Sequence, residues 1–346
     1  MLMVVLGAGA SHDSTSHFQA GMGVGYPNDE LRPPLTNDLF HPRFKEAMRQ
    51  FPDVKPLAGY LHTSIEDTLQ SFQEEAEVNQ ELLKSLMAVR HYVPRVVGEC
   101  ETGWLRRHEG ITNHSTLLSR IDLWCQLHNE RACFVTFNYD TFIEQAFTDS
   151  TRRIRMRELG EYVSDDRYKV IIKLHGSVTW FHEVQLPALL DVHRRNADEL
   201  AQELIARAPE VRFSNEFLSA DRATVGKIGD HGPIVVPAIA IPVQQKPGPG
   251  FDECPDKHIG VLKACLPSVT RLIVIGWAGK EKTFLEMLRG SLSGSVLGVV
   301  VGQNRIDAER IIGDLITAIP GSFKPSTAEG FSDFIKTRAV DEYLFR

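Results

Sequence analysis

Three short segments carry residues whose types and spacing suit chemistry. The first, Gly7-Ala8-Gly9-Ala10-Ser11, follows an apolar run. Two glycines so spaced let a backbone turn tightly and bring its amides up to a pyrophosphate at a helix N-terminus. A plain strand-to-helix turn needs the same glycines, so the pentapeptide alone supports both readings. The second segment, Thr136-Phe137-Asn138-Tyr139-Asp140, changes abruptly from apolar residues to an amide and a carboxylate. Asn138 and Asp140 are alternate residues and share one side of an extended segment. Asp140 also stands where a helix beginning near Thr141 would take its cap. The third segment is Lys173-Leu174-His175-Gly176-Ser177. An imidazole at a strand end can take a proton near neutral pH, and the glycine after it admits a close substrate. His12, His17 and His182 flank these segments without occupying them.

The elements that must position these residues follow from period and punctuation. Runs apolar on both faces occur at 3–6, 133–137, 170–174, 234–238, 272–275 and 296–301, the pattern of parallel strands covered by helices. Helical patterns at 141–147, 258–266, 282–292 and 307–318 alternate with them. The expectation is an α/β fold: a doubly wound, mostly parallel Rossmann-like sheet with helical insertions. Its sheet domain comprises residues 1–39 and 130–318. A helical insertion occupies 40–129, including helices at 65–78 and 80–90, and a second insertion spans 186–230 with a helical block over 186–217. A C-terminal tail runs over 319–346. Pro and Gly cluster at 21–34 and 242–250, marking loops over the sheet.

Composition bounds the function. At 346 residues, 42% hydrophobic and 24% charged, the chain buries a large core, and disorder is excluded. A net charge of -7 provides no global basic field for a nucleic-acid backbone. The run Arg152, Arg153, Arg155 and Arg157 is the local exception, most simply a solvated face. The five cysteines include no C-x-x-C pair, which disfavours both a disulfide scaffold and a zinc ribbon. No stretch approaches the roughly 20 apolar residues of a membrane helix, and no basic leader precedes the first run. The expected compartment is the cytoplasm.

The ordered set Gly-Ala-Gly-Ala-Ser, Phe-Asn-Tyr-Asp and Leu-His-Gly-Ser, each after a strand, resembles the sirtuin-like NAD-consuming enzymes, and is most similar to their bacterial antiviral-defence branch. The stretch Pro33-Pro34-Leu35-Thr36-Asn37-Asp38-Leu39-Phe40 is similar to the segment beyond the glycine turn in that branch. Ile275-Gly276-Trp277-Ala278 and Val301-Gly302-Gln303-Asn304 fall where that family places later nucleotide-contacting strand ends. Departures set this chain apart from hydride-transfer enzymes: His12 replaces the third glycine of their fingerprint, and Asn138 follows the second strand instead of a ribose-binding acid.

The resemblance implies a substrate and roles. Gly7, Ala8, Gly9, Ala10 and Ser11 would line the pyrophosphate of NAD, with Gly276, Trp277 and Asn304 on the later strand ends, Asn304 at the adenosine ribose. Asn138 and Asp140 would face the nicotinamide ribose and carboxamide, Asn138 positioning a water, and His175 would be the general base. The implied reaction is hydrolysis of NAD to nicotinamide and ADP-ribose. Protein-deacylating sirtuins carry a four-cysteine zinc module after the histidine, whereas only Cys254 and Cys265 follow His175 here, so no zinc or other metal is expected. Histidines such as His231 and His258 would have to complete such a site. Deacylation is the first alternative, and an NAD or ADP-ribose sensing module without turnover the second. A homo-oligomer and a separate sensor or ATPase partner are expected as gates, and the apolar residues of the tail either dock on a neighbouring subunit or, the commoner fate of such a tail, pack on the chain's own sheet.

Overall fold

Chain segments that stay apolar at odd and even positions alike must be covered on both faces, and the strands obey this. The computed structural model describes residues 1–14, 31–59, 64–76, 78–107, 110–150, 156, 158–164, 169–185, 196–220, 233–242 and 253–346. The described strands are β1 (Leu2–Leu6), β2 (Ala132–Thr136), β3 (Lys169–Lys173), β4 (Gly176–Gln185), β5 (Arg212–Ser219), β6 (Val235–Ile239), β7 (Arg271–Ile275), β8 (Val296–Val301) and β9 (Gly321–Pro325). Every residue of β1, β2 and β3 is buried.

Six strands form one sheet in the order β3-β2-β1-β7-β8-β9, and all its pairs are parallel. Numbered within the sheet, this is the 3-2-1-4-5-6 order of a doubly wound Rossmann-like fold, whose ligands lie outside the carboxyl ends of the strands where the order reverses. The reversal falls between β1 and β7. Register aligns Leu6 with Thr136 and with Ile275, Thr136 with Lys173, and Ile275 with Val301. The three chemical segments, Gly276 and Gly302 each follow one of these aligned residues, so they emerge together along one edge.

A second sheet, antiparallel and ordered β5-β4-β6, branches off after β3. The branch requires Gly176: its φ is +80°, and a Cβ there would lie 2.0 Å from the Ala238 carbonyl oxygen. This sheet shares a second core with the helices Ile65–Glu75, Gln80–Arg107 and Ala197–Ala206, through Leu69, Val93, Leu204, Val184 and Val236. The parallel sheet has its own core, which takes in the helix Asn113–His128 through Leu117, Ile121 and Trp124.

Several expectations about elements are corrected. The run at 234–238 is β6, in the antiparallel sheet rather than the parallel one. It is apolar throughout because Val236 and Ile239 face the second core while Ala238 faces the first. The block expected to be helical as far as Phe217 holds the helix Ala197–Ala206 and then β5, where Phe213 and Phe217 alternate onto the His182 ring at 5.8 and 4.4 Å. The helix starting at Gln80 continues through Pro94 to Arg107. Asn113–His128, expected in the first insertion, packs on the parallel sheet. The tail adds β9 to the sheet edge and sends Phe331, Phe334, Val340, Tyr343 and Leu344 into the chain's own core, so these residues are not available to a neighbour. Arg152, Arg153, Arg155 and Arg157, His17, His231 and most of the 21–34 and 242–250 loops lie outside the described residues. No described helix is long and apolar enough to cross a membrane.

Candidate active site

The glycine turn closes against the end of β7 by backbone contact. Gly7 donates to the Ile275 carbonyl and Gly9 to the Gly276 carbonyl, both at 3.0 Å. A Cβ on Gly7 would lie 2.4 Å from the Gly276 oxygen, and one on Gly276, whose φ is +60°, 2.2 Å from the Ala10 nitrogen. These glycines are therefore needed for strand-end packing at the point where the sheet order reverses. The pyrophosphate contact expected of the Gly9 amide is taken by Gly276. Ala10 is buried, its amide donating to Gly7. Ala8 is exposed and Ser11 buried, and both line a cleft with Asn138, Asp140, Pro33, Pro34 and Thr36. His12 bonds the Pro33 carbonyl at 3.0 Å through Nδ1, fixing the proline stretch to the first helix, Ala8–Asp13.

Asn138 is 6% exposed. Its Nδ2 donates to the Ser11 hydroxyl at 2.8 Å and its backbone amide to Thr136 Oγ1 at 3.0 Å. The amide carbonyl, Oδ1, is buried with no hydrogen-bond partner among the described residues. A buried unsatisfied carbonyl costs about 1–3 kcal/mol, and a ligand or water donor in the cleft would relieve it. Asp140 both binds the start of the following helix and borders the cleft. Its Oδ1 accepts from the Phe142 amide at 3.1 Å, capping Phe142–Ser150, and among the described residues it is the charged side chain that lines the cleft.

His175 is half-buried, and its ring meets Phe137 edge-on at 5.0 Å and Tyr139 at 6.4 Å. Phe137 and Tyr139 line the cleft, whereas His175, packed against both rings, is not among its lining residues. Trp277 is buried and stacks on Phe137 at 5.6 Å, its indole nitrogen donating to Glu281. It belongs to the aromatic wall instead of the cleft surface. Asn304 is exposed at the end of β8, where its Oδ1 caps Arg305–Ala318 by accepting from Asp307 at 3.0 Å. It does not line the cleft.

The sequence reading overlooked the residues surrounding the turn. Lys173, fully buried, donates to the Asp140 carbonyl and to Glu144 Oε1, the latter at 2.8 Å. Glu101, from Gln80–Arg107, accepts from the Thr141 amide at 3.1 Å and from its hydroxyl. A charged residue at a core position is the signal that would have found both. Further out, Glu253 accepts from Arg90 at 2.5 Å and from His182 at 2.7 Å. Those two partners hold its carboxyl below the ordinary range against the opposing effect of burial. His182, held in reserve from the sequence, thus serves a buried ion cluster.

Cys254 and Cys265 are both buried, and Cys265 hydrogen-bonds Cys133 of β2, which with burial pushes that thiol up. His258 bonds the Leu159 carbonyl at 2.8 Å and is pushed down to about 4 by burial. Among the described residues no group of three or more His, Cys, Asp or Glu could hold a metal ion.

A comparison with the curated proteins finds no match. Residues 132–204 match the family model of the SIR2-like domain. The matched segment begins at β2 and ends within Ala197–Ala206, so it contains Asn138, Asp140 and His175. Its likeness to that domain, together with the Rossmann-like sheet, makes the chain sirtuin-like over this segment and its activity NAD-related in kind.

Proposed function

We propose that this chain is an NAD glycohydrolase, releasing nicotinamide and ADP-ribose by attack of water. The observation that supports it most is the buried Asn138 carbonyl, fixed by Ser11 and unsatisfied among the described residues, in a cleft at the carboxyl ends of the strands. NAD supplies a cationic leaving group, so its cleavage needs little more than orientation, a positioned nucleophile and negative potential near the developing positive charge. Asn138 Oδ1 is an acceptor for a water or a ribose hydroxyl, and the Asp140 carboxylate supplies the charge. Phe137 and Tyr139 keep one wall of the cleft apolar, and His175, half-buried against both rings, is the general base this reading requires, a contribution of about 10² to 10⁴ in rate. The Ala8 end of the first helix and Ser11 are the remaining contacts for phosphate.

Such an enzyme depletes NAD in the cell that makes it. With the motif order resembling the antiviral-defence branch, this supports a role in defence against phage, with activity gated by self-assembly or by a separate sensor or ATPase.

The test is nicotinamide release from NAD by the purified protein across a concentration series, beside Asn138→Ala and His175→Ala. Release by the wild type that falls at least 10²-fold in each variant is expected. Measurable NAD binding without release at any concentration would instead favour a sensing module.

A further inference from the structure

A lysine with 0% exposure stands at the end of β3, two residues before His175. Its ammonium donates to the backbone carbonyl of Asp140 and to Glu144 Oε1 at 2.8 Å, and the Tyr162 hydroxyl donates to the same carboxylate oxygen at 3.3 Å. Burying an ammonium and a carboxylate together is costly, and apolar side chains of similar volume often serve stability as well or better. Packing therefore gives no reason for this pair. Its location does: the Asp140 carbonyl belongs to the turn that presents Asn138 and Asp140 to the cleft. The same turn is held by Ser11 at Asn138, by Glu101 at Thr141, and by the Ala240 carbonyl, which accepts from the Tyr139 hydroxyl at 2.8 Å. From the stretch around His175 the turn is also reached by the backbone, Leu174 donating to Thr136 at 3.0 Å and Val178 to Tyr139 at 2.9 Å; Lys173, at the end of β3, adds the charged contact between the two halves of the site.

We infer that Lys173 is a positioning residue, whose ammonium fixes the Asp140 carbonyl so that the Asn138 amide meets Ser11 and the cleft, and that Glu144 is present to neutralise it. Burial pushes the Glu144 carboxyl up and the Lys173 ammonium opposes it; the pairing itself rests on the 2.8 Å contact between the two buried groups. The kinetic reading of this inference rests on the proposed NAD cleavage; a structural reading does not.

The experiment compares wild type with Lys173→Met/Glu144→Met, which removes both charges at similar volume, and with Lys173→Arg. Urea unfolding, steady-state NAD cleavage and the side-chain amide NMR signals of asparagine-labelled protein are recorded, with the Asn138 signal assigned through Asn138→Asp. The expected double variant unfolds at a midpoint close to wild type, cleaves NAD at least tenfold more slowly at saturation, and has a displaced Asn138 signal. Wild-type kcat with an unmoved signal would overturn the inference. Should the double variant not fold, Lys173→Arg is read by the same criteria, its bulkier head group displacing the Asp140 carbonyl. If wild type cleaves no NAD, the proposed function fails by itself and the Asn138 signal decides: moved, the positioning role stands; unmoved, it falls.

Discussion

Asn138 and Ser11 lie on different segments of the chain and meet through one hydrogen bond of 2.8 Å, amide to hydroxyl, where both are buried. The bond decides which end of the Asn138 amide is left for the cleft. Ser11→Ala removes the acceptor and frees the amide to rotate. A misplacement of this kind costs about 10² in rate, while the fold loses about 1–3 kcal/mol from the orphaned donor. Nicotinamide-release kinetics beside urea unfolding would separate the two effects. Full activity in Ser11→Ala would show that the bond does not orient the amide.

Gly276 tests whether the glycine turn is a packing device. Its positive φ and the 2.2 Å between a Cβ and the Ala10 nitrogen leave no room for a side chain. Gly276→Ala should destabilise the protein by more than about 3 kcal/mol. The displaced first helix would also weaken NAD binding, as isothermal titration would record. A variant of wild-type stability would mean that the strand ends can separate freely.

Acid should weaken the fold before the carboxylates titrate. Burial pushes His91, His114 and His258 each down from 6.5 to about 4. Unfolded, each imidazole takes a proton as pH falls through 6.5; folded, it resists until about 4. The stabilisation is therefore complete above pH 6.5 and is lost between there and about pH 4, with a ceiling of roughly 3 kcal/mol per histidine. Urea midpoints measured from pH 7 to pH 5 should fall steeply, and His91→Phe should flatten the slope by about one third. A midpoint independent of pH over that range would contradict the burial of these rings.

Much of the positioning of the site was legible in the sequence, for a definite reason. The runs ending at Leu6, Thr136, Lys173, Ile275 and Val301 are apolar on both faces, and their register brings the residue after each to one edge. The branch into β4 was illegible because Val178, Trp180 and Val184 are interrupted by Thr179 and Glu183 and carry no continuous run. The roles of Gly9, Trp277 and Asn304 depend on partners remote in sequence: the Gly276 carbonyl, the Phe137 face and the first turn of the helix that Asn304 caps. Glu101 and Lys173 each sit within otherwise ordinary apolar patterns. Their partners at Asp140 and Thr141 become neighbours only once the helix Gln80–Arg107 and the end of β3 have both been brought to the turn after β2.

The C-terminal helices should be indispensable. The Tyr343 hydroxyl accepts from the Leu272 amide at 3.3 Å and donates to the Leu297 carbonyl at 2.6 Å, bridging β7 and β8. Ser332 donates from its amide and hydroxyl to Asp13 at the end of the first helix, both at 2.7 Å. Removing residues 330–346 strips Phe331, Phe334 and Leu344 from the core, each large apolar side chain costing about 2–5 kcal/mol. Insoluble or protease-sensitive protein is expected. A stable truncated protein of unchanged oligomeric mass would show these contacts to be dispensable.

The sheet order also sets a timetable for assembly. Register pairs Leu2 with Ala132 on one side and with Arg271 on the other, so the innermost strand leaves the ribosome long before either neighbour exists. Such remote pairings fold slowly, because loop closure must precede the contacts that reward it. Until β7 emerges, β1 is an apolar segment with an open edge, and the Gly7 and Gly9 amides have no carbonyls to meet. The nascent chain must therefore be shielded from aggregation for most of its synthesis, and the cleft can form only at the end.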